Sequence, residues 1–427
     1  MAAVNVKKPH LIDRPWPTLP EDIIFYQIFP RLPVKTLHRF RCISTFCRRL
    51  TSDRQFLTAV RHLSPATYFL SFSSSLPTKI SLYSVSPTQG STAIVAHNIG
   101  NPNDHNIYAK VINGFTCLVH QNHQVFVRNF ATNEKLALPV FQNPSTKLDR
   151  LFFYFCHDPS SNRYKVLSTK SIGVYNDPRS SVMMYPVITL GDKSWRNSNL
   201  KGLYQLGNSK SVCINGSLYF NKFSRSPDYN RDEVIGAFDV KREFFYAVSY
   251  PKGLSRSRYN ECHLIEVKGA LAIIEVEDFM SCDIRLWIKE IGFGSSDDGS
   301  WKEHRIMFDS RWETLYSMTL NYSFSSNRDS EIVMASTGLK PRYGLWLFVY
   351  NMDNREWRRV EIVGVDKSIT IVGQLSIEEF VETPLLLREI STYEARGLHF
   401  ESKRKKNKIY KLGQICHIIR SLPRENR

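Results

Sequence analysis

The stretch VCINGSLYF, residues 212–220, places an Asn-Gly pair between two short runs of strand-forming residues. Asn and Gly adopt the positive φ angles that a tight two-residue hairpin turn requires, so this pair is the strongest short-range hairpin signal. A second stretch, VINGFTCL at residues 111–118, repeats the arrangement earlier in the chain. Both stretches therefore predict antiparallel strand pairs in a chain that is largely β.

Further stretches share one form, in which a strand ends, turn-forming residues follow, and an aromatic or apolar residue opens the next strand. They are VRNFATNEKLALP (127–139), YFCHDPSSNRYKVLS (154–168), PVITLGDKSWRN (186–197), AFDVKREFFYAVSYP (237–251) and LFVYNMDNREWRRVEI (347–362). We expect Tyr164, Trp195, Phe244 and Trp357 to pack across their hairpins. Hairpins that cannot each bury a face must stack, which favours a propeller-like ring or a large sandwich. The irregular spacing leaves the number of blades open.

The composition is that of a globular protein without a membrane span or a secretion signal. Of the 427 residues, 42% are hydrophobic and 12% are aromatic, and no apolar run approaches the ~18 residues of a transmembrane helix. The first residues lack the apolar core of a signal peptide. The eight cysteines are scattered without CxxC spacing, and Cys262-His263 is interpreted as a buried thiol rather than a metal ligand. We therefore expect an intracellular protein, in the nucleus, the cytoplasm or both, with no cofactor and no membrane partner.

The net charge of +17 is concentrated at the two ends of the chain. Residues 1–62 carry +7 and residues 401–427 carry +7, whereas the 338 residues between them carry only +3. A sheet domain that grips phosphate is expected to carry its own basic face. The balanced middle of the chain therefore argues against a nucleic-acid partner.

The N-terminal stretch TLPEDIIFYQIFPRLPVKTLHRFRCISTFCRRL (18–50) has a helical pattern instead. Thr18 and Glu21 have the spacing of a capping box, and Pro33 is placed to begin a second helix after the first one stops. Apolar residues then recur at intervals of three and four, which predicts one apolar helix face. These residues are Ile24, Phe25, Ile28, Phe29, Leu37, Phe40, Ile43, Cys47 and Leu50. A block this small cannot bury enough apolar surface to be stable alone, so it either packs on the β domain or presents a helical surface to another protein.

This block resembles the plant-type F-box, through LPEDIIFYQIFPRLPVKTLHRFRCIS and the closing RRLTSDRQF. The resemblance implies that it docks on a Skp-type adaptor and thereby joins a cullin–RING ubiquitin ligase. The residues it assigns to adaptor binding are Leu19, Pro20, Ile24, Ile28, Leu32, Pro33, Leu37, Phe40, Arg41, Cys42 and Ile43. The chain departs from the family at Cys47, where a tryptophan is usual, and at Pro30, which replaces a small polar residue.

The β region resembles the F-box-associated, kelch-like domain of plant F-box proteins. The matching phrases are DPSSNRYKV, VCINGSLYF, FDVKREFF and YNMDNREWRRVEI. The fold class expected is thus α+β and multidomain, with a small helical F-box before a large all-β, propeller-like domain. The predicted boundaries are 1–16 for a flexible N-terminus, 17–62 for the F-box, 66–400 for the β domain and 401–427 for a basic tail.

By this resemblance, the β domain captures an unidentified protein for ubiquitination, and the chain is a non-catalytic receptor subunit. The alternatives are a protein-interaction scaffold outside any ligase, or a glycan-binding β domain, each with a weakened F-box. The basic tail, which contains Lys403, Arg404, Lys405 and Lys406, is either a solvated tail or a nuclear-import segment.

Several polar residues have the chemistry of a catalytic site without its spacing. They are His120, His123, the run Cys156-His157-Asp158, and the acidic residues Glu275, Glu277 and Asp278. Adjacent residues on a strand point to opposite faces, so the run cannot form a nucleophile–base pair by itself. We interpret Asp158 as a turn-forming residue beside an exposed His157, and the acidic residues as a solvated strand face and turn. No Gly-rich phosphate loop is present, and the sequence therefore predicts that the chain is not an enzyme.

Overall fold

A computed structural model describes most of the chain between Ile23 and Ser391. The described residues are 23–43, 45–64, 67–74, 79–85, 93–98, 106–140, 151–172, 182–198, 205–206, 211–224, 234–254, 262–276, 283–290, 300–308, 319–338, 345–365 and 371–391. The predicted capping box at Thr18 and Glu21 and the basic tail lie outside these residues.

The N-terminal part is a helical block of short helices. A wide π-helical turn, Ile24–Ile28, and a 3-10 turn, Phe29–Arg31, precede three α-helices: α1 (Val34–Ile43), α2 (Thr45–Leu50) and α3 (Arg54–Leu63). Pro33 begins α1, since its carbonyl accepts from the amides of Thr36 and Leu37. The Asp53 side chain caps α3 by accepting from the Phe56 amide at 3.0 Å. The predicted succession of short helices with a proline turn is confirmed for these residues.

The block has one small core of its own. Its buried members are Ile24, Phe29, Leu37, Phe40, Cys47, Leu50, Phe56 and Val60. Phe29 and Phe40 stack with their ring centroids 5.3 Å apart. Cys47 lies inside this core, at the position where a tryptophan is usual in the family the sequence resembles.

The described strands form a six-bladed β-propeller. Blade 1 contains β1 (Thr67–Ser74), β2 (Lys79–Val85) and β3 (Ala93–Asn98), together with the last strand, β26 (Ile371–Phe380); blade 2 contains β4 (Asn106–Ile112), β5 (Phe115–His120), β6 (Val125–Asn129) and β7 (Glu134–Ala137). Blade 3 contains β8 (Leu151–Asp158), β9 (Arg163–Ile172), β10 (Val182–Met184), β11 (Pro186–Thr189) and β12 (Arg196–Asn197); blade 4 contains β13 (Gln205–Leu206), β14 (Ser211–Ile214), β15 (Ser217–Ser224), β16 (Val234–Asp239) and β17 (Phe244–Val248). Blade 5 contains β18 (His263–Val267), β19 (Ala270–Val276), β20 (Asp283–Lys289) and β21 (Trp301–Met307); blade 6 contains β22 (Thr319–Ser326), β23 (Glu331–Gly338), β24 (Leu345–Asn351) and β25 (Glu356–Val363).

The ring closes through blade 1, whose strands come from both ends of the propeller sequence. Strand β26 pairs antiparallel with β1 and is the innermost strand of that blade. A parallel ladder between β25 and β3 also joins blades 6 and 1. A final short helix, α4 (Leu387–Ser391), follows β26.

The two Asn-Gly pairs form the predicted tight hairpin turns. Asn113 and Gly114 have φ angles of 52° and 84°, and Asn215 and Gly216 have φ angles of 48° and 83°. Positive φ at both central positions is the signature of the type I′ turn. The hairpin predictions at 111–118 and 212–220 are therefore confirmed.

Aromatic residues after the turns join neighbouring blades as well as neighbouring strands. The indole N–H groups of Trp195, Trp301 and Trp357 donate to the carbonyls of Pro139, Ser249 and Met307, at 2.8, 3.1 and 2.8 Å. Each tryptophan lies at the start of the outer strand of its blade, and each carbonyl lies at the end of the outer strand of the preceding blade.

The predicted packing of these aromatics across their hairpins is confirmed at two positions. Tyr164 contacts His157, and Trp357 contacts Tyr350. Phe244, in contrast, is 38% exposed, and its neighbour Phe245 makes the contact between blades by packing on Tyr185.

Candidate functional site

The helical block exposes a small apolar surface. Ile23, Tyr26 and Ile28 are 37–39% exposed, and we call these three residues the N-terminal patch. The other large apolar side chains exposed in the described part of the chain, Val140, Phe244, Met307 and Val363, are scattered along the propeller strands and loops. The three residues of the N-terminal patch belong to one short helical segment, and exposed apolar side chains grouped on one element are candidates for an interaction site, whereas single scattered ones are not.

The residues that the sequence assigns to adaptor binding separate into buried and exposed groups. Ile24, Leu37, Phe40 and Arg41 are buried. Ile28, Pro33 and Cys42 are exposed, and Leu32 is half-buried. Leu19, Pro20 and the side chain of Ile43 lie outside the described residues. The structure thus places Ile24, Leu37 and Phe40 in the core of the block, buries Arg41 against the segment that follows β26, and leaves the second group at the surface of the block.

The exposed surface of the helical block is basic. The exposed cationic side chains there are Arg31, Lys35, Arg39, Arg48 and Arg49. Among the described residues of the block the one acidic side chain is Asp53, which caps α3. A protein that binds the N-terminal patch would therefore meet an apolar surface with positive charge around the block, which suits an acidic partner.

The propeller encloses a central channel with a cavity volume of about 1010 Å³. The channel is lined by residues of the innermost strand of each blade, from β4, β8, β14, β18, β22 and β26. At one end it is also lined by Thr58, Arg61 and His62 of α3. The helical block thus contributes directly to the wall of the channel.

Ion pairs lie along the wall of this channel. Lys110 Nζ is 2.9 Å from a carboxylate oxygen of Glu378, whose other oxygen accepts from the Val111 amide at 2.7 Å. Arg328 Nε donates to Glu379 at 3.0 Å. Burial raises the pKa of Glu379 against the opposing effect of Arg328. These pairs give the channel a polar wall of mixed charge.

The sequence reasoning did not single out these channel residues. Glu378 and Glu379 are adjacent on β26, and a charged pair on a strand has no spacing that distinguishes it from a solvated face. Only the pairing of β26 with β1, at the opposite end of the propeller sequence, places them at the channel.

The structure shows structural roles for the run Cys156-His157-Asp158. Cys156 is buried between blades 3 and 4, and burial raises the pKa of its thiol. The Asp158 carboxylate accepts from Ser160 and Ser161 in the hairpin turn, which confirms its predicted turn-forming role. His157 is half-buried against Tyr164 and hydrogen-bonded to Asn113 and Asn162. The expectation of an exposed His157 was therefore wrong, because the neighbouring blade covers it.

The prediction of a solvated strand face at Glu275 was also wrong. Its side chain is 1% exposed and lies 3.3 Å from Arg285 Nε of the paired strand. The Trp287 indole N–H also donates to this carboxylate at 3.5 Å. Glu277 and Asp278 lie outside the described residues.

The other candidate ligands do not form a site. His120 and His123 lie at the two ends of a tight turn, in which the His123 amide donates to the His120 carbonyl at 2.9 Å, and their rings pack on different residues, Phe126 and Phe153. Within the part of the chain that the structure describes, no three His, Cys, Asp or Glu side chains are placed to hold a metal ion. No described helix is long and apolar enough to span a membrane.

Comparison with known families accounts for the propeller. Residues 67–383 match the family model of the F-box associated beta propeller domain, a match that begins at β1 and ends just after β26. The chain belongs to the plant-type F-box proteins with an F-box associated beta propeller domain. The family match covers the complete ring of six blades described above.

Curated relatives of this F-box protein align over most of its length. F-box protein At1g30790 of Arabidopsis thaliana is 26% identical over 372 residues, which cover 79% of this chain and 88% of the relative. F-box protein DOR of the same plant is 26% identical over 378 residues, which cover 83% of this chain and 90% of the relative. One relative with similar coverage is described as an F-box/kelch-repeat protein.

Solved structures are more distant. An oligogalacturonate lyase in complex with manganese is 11% identical, with a TM-score of 0.38, over 66% of this chain and 71% of the lyase. At this level of similarity the comparison carries no argument about the function of the F-box protein.

Proposed function

We propose that the chain is the substrate-recognition subunit of a Skp–cullin–F-box ubiquitin ligase. The helical block binds a Skp-type adaptor, and the propeller binds the protein to be ubiquitinated. The chain supplies no catalytic group, because ubiquitin transfer belongs to the other subunits of the ligase. Membership of the plant F-box proteins and the division into a helical block and a propeller support this proposal.

The N-terminal patch is the observation that carries the adaptor half of the proposal. Ile23, Tyr26 and Ile28 remain exposed although the same turn buries Ile24 and Phe29 in the core of the block. Exposed apolar side chains on a small helical unit are the usual anchors of a helix-mediated interface. We therefore place Ile28, Leu32, Pro33 and Cys42 among the candidate adaptor contacts, with Tyr26 added.

The propeller supplies the target side of the proposal. Its channel is a concave site with polar groups at fixed positions, which is the general form of a recognition site. We propose that the chain acts inside the cell, in the nucleus, the cytoplasm or both. The tail residues Lys403, Arg404, Lys405 and Lys406 remain either a solvated tail or a nuclear-import segment.

The test is co-purification with a Skp-type adaptor after Tyr26→Asp and Ile28→Asp together. A charge placed in a buried apolar contact removes an anchor worth about 2 kcal/mol or more, so we expect adaptor affinity to fall at least about tenfold. Met307→Asp is the matched control, since Met307 is 66% exposed on an outer strand of blade 5. Ile24 and Leu37 are unsuitable because they are buried, and a charge there would unfold the block.

Two results would contradict the proposal. Undiminished co-purification of the double variant would show that the N-terminal patch is not the adaptor site. Failure of the unaltered chain to bind any Skp-type adaptor would favour a scaffold outside the ligase, and a positive glycan array would then favour a glycan-binding propeller.

A further inference from the structure

Arg41 of the helical block is engaged inside the molecule. Its side chain is only 4% exposed, although Arg41 belongs to the basic, helical RFRCIS segment. Its guanidinium donates to Thr51 Oγ1 at 2.7 Å and to the Pro384 carbonyl at 3.3 Å, and it forms an ion pair with Glu389. A charge that cannot be neutralised is costly to bury unless it is paired. Arg41 therefore depends on the chain around Glu389.

The Glu389 carboxylate connects several elements of the molecule. One of its oxygens pairs with Arg41 of α1. The other accepts from Ser52 Oγ, between α2 and α3, and from the Leu386 amide at the start of α4, each at 3.3 Å. The contact thus joins the helical block to the segment that follows the last propeller strand.

We call residues 381–391 the C-terminal strap. Its other side is fixed to blade 2 by hydrogen bonds between side chains of blade 2 and the backbone of the strap. The Asn129 amide group donates to the carbonyls of Thr383 and Leu385 at 3.1 and 2.8 Å. The Glu134 carboxylate accepts from the Leu387 amide at 2.8 Å. The strap is therefore held by blade 2 independently of the helical block.

Apolar side chains also pack between the strap, the helical block and the propeller. Leu385, Leu387 and Ile390 of the strap are buried in one cluster with Leu57 of α3 and with side chains of blades 2 and 3. Modules of one chain move relative to each other by default, unless a well-packed interface holds them. Here an apolar cluster and a partly buried ion pair hold the same interface.

We propose that the C-terminal strap, through the Arg41–Glu389 pair, fixes the orientation of the helical block on blade 2. If the chain has the proposed function, on which this step rests, the fixed orientation also sets the position of the target-binding propeller relative to the adaptor in the ligase. Arg41 is then a positioning residue and not an adaptor contact. The two surfaces of the block have separate tasks, with Arg41 and Leu57 facing the strap and the N-terminal patch facing outwards.

The test is hydrogen exchange of the full chain carrying Arg41→Met or Glu389→Leu. Each single variant leaves one charge without its partner, so amide exchange in residues 381–391 and in α3 is expected to rise at least about tenfold. The strands of blade 5 are expected to exchange as before. The double variant removes both charges, and its exchange is expected to return toward that of the unaltered chain.

Two further variants keep the test decisive. Arg41→Lys keeps the charge but loses the fork of donors, so we expect a smaller rise in exchange than with Arg41→Met. Arg358→Met is the matched control, because Arg358 pairs with Glu331 at 2.8 Å on blade 6 but is 44% exposed. Its effect on exchange is expected to stay within about twofold.

The consequence for the ligase is measured by the ubiquitination of lysines in the chain itself. In a reconstituted ligase, the propeller lysines that receive ubiquitin report the orientation of the propeller. We expect Arg41→Met to change which lysines are modified while adaptor affinity stays within about twofold. Failure of the unaltered chain to join the ligase would refute the proposed function but leave the exchange result standing. Unchanged exchange in the strap, or loss of adaptor binding without a change in exchange, would overturn the positioning role.

Discussion

The helical block and the propeller are stabilised in different ways. In the propeller, each of six buried clusters lies between two neighbouring blades, so that every blade is supported on both sides. Among the described residues, the helical block has a single small core and contacts the C-terminal strap and blades 2 and 3, and its helix α3 also lines the channel. A ring can therefore absorb a local change, whereas the block depends on a few residues. The sensitive positions of the molecule are expected in the block and the strap.

The largest effect is expected from a charge in the core of the helical block. Leu37 is fully buried there, whereas Ile28 on the neighbouring turn is exposed. Leu37→Asp places an unpaired charge in that core, and we expect a cost of more than about 4 kcal/mol, enough to unfold the block. Limited proteolysis should then cleave within residues 23–63 and leave the propeller intact. Ile28→Asp is the control and should leave the block resistant.

Simultaneous loss of the propeller in Leu37→Asp would break the comparison. It would show that the ring depends on the block, and that the inter-blade clusters do not suffice by themselves.

The next effect is expected where the strap crosses the turn of blade 2. Gly114 has φ +84°, and a Cβ there would lie 2.4 Å from the Val381 carbonyl oxygen. Gly269 has φ +79°, but its Cβ would meet no atom closer than 3.7 Å. Ala at either position bears a left-handed backbone cost of about 1–2 kcal/mol, and only Gly114→Ala also displaces the strap. We expect its unfolding free energy to fall by about 3 kcal/mol, against about 1 for Gly269→Ala.

Chemical denaturation of the two variants checks this difference. Equal losses of unfolding free energy in the two variants would show that the strap moves away from the new Cβ at little cost. That result would weaken the case that the strap holds the block.

Local turn chemistry made part of the fold predictable. Asn113-Gly114 and Asn215-Gly216 could be identified from the sequence because their positive φ angles are a property of the two residues themselves. The proline turn at Pro33 is local in the same sense. The propeller fold also agrees with the resemblance of these hairpin sequences to the F-box-associated domain.

Contacts between distant segments made the rest unpredictable. Arg41 and Glu389 are 348 residues apart, and nothing in RFRCIS indicates a buried ion pair with α4. Glu275 was assigned to a solvated face because alternation along β19 does not reveal Arg285 on β20 or the covering blade. For the same reason the helical pattern predicted an apolar face but could not divide it between the core of the block, blade 2 and the exposed patch.

A moderate effect is expected at the contacts between blades. Trp357→Phe removes the indole N–H that donates to Met307 O at 2.8 Å, while most of the packing on Phe308 and Tyr350 remains. The loss of one such hydrogen bond is expected to cost about 1 kcal/mol. Thermal unfolding should show a small shift of the propeller transition with the helical block unaffected. A loss as large as that of Gly114→Ala would mean that the ring is less redundant than its six clusters indicate.

The smallest effect is expected from the titration of His38, which lies on α1 beside the Arg41 pair. Its Nε2 is buried without a hydrogen-bond partner. Burial, and then the charge of Arg41, hold its pKa below the ordinary 6.5, although Glu134 and Glu389 oppose this. Because the unfolded chain binds this proton more readily, His38 lowers the stability as the pH falls below about 6.5.

His38→Gln removes that titration, so the variant should lose less stability than the unaltered chain between about pH 7 and about pH 5. Measuring the unfolding free energy across that interval checks the sign. The same dependence should be weaker in Arg41→Met, because the charge of Arg41, one of the causes that lower the His38 pKa, is then absent. A pH dependence that His38→Gln leaves unchanged would place the acid sensitivity elsewhere. It would also show that the interface between block and strap tolerates a protonated His38 beside Arg41. That result would contradict the view that the close pairing of Arg41 makes this interface the sensitive region of the molecule.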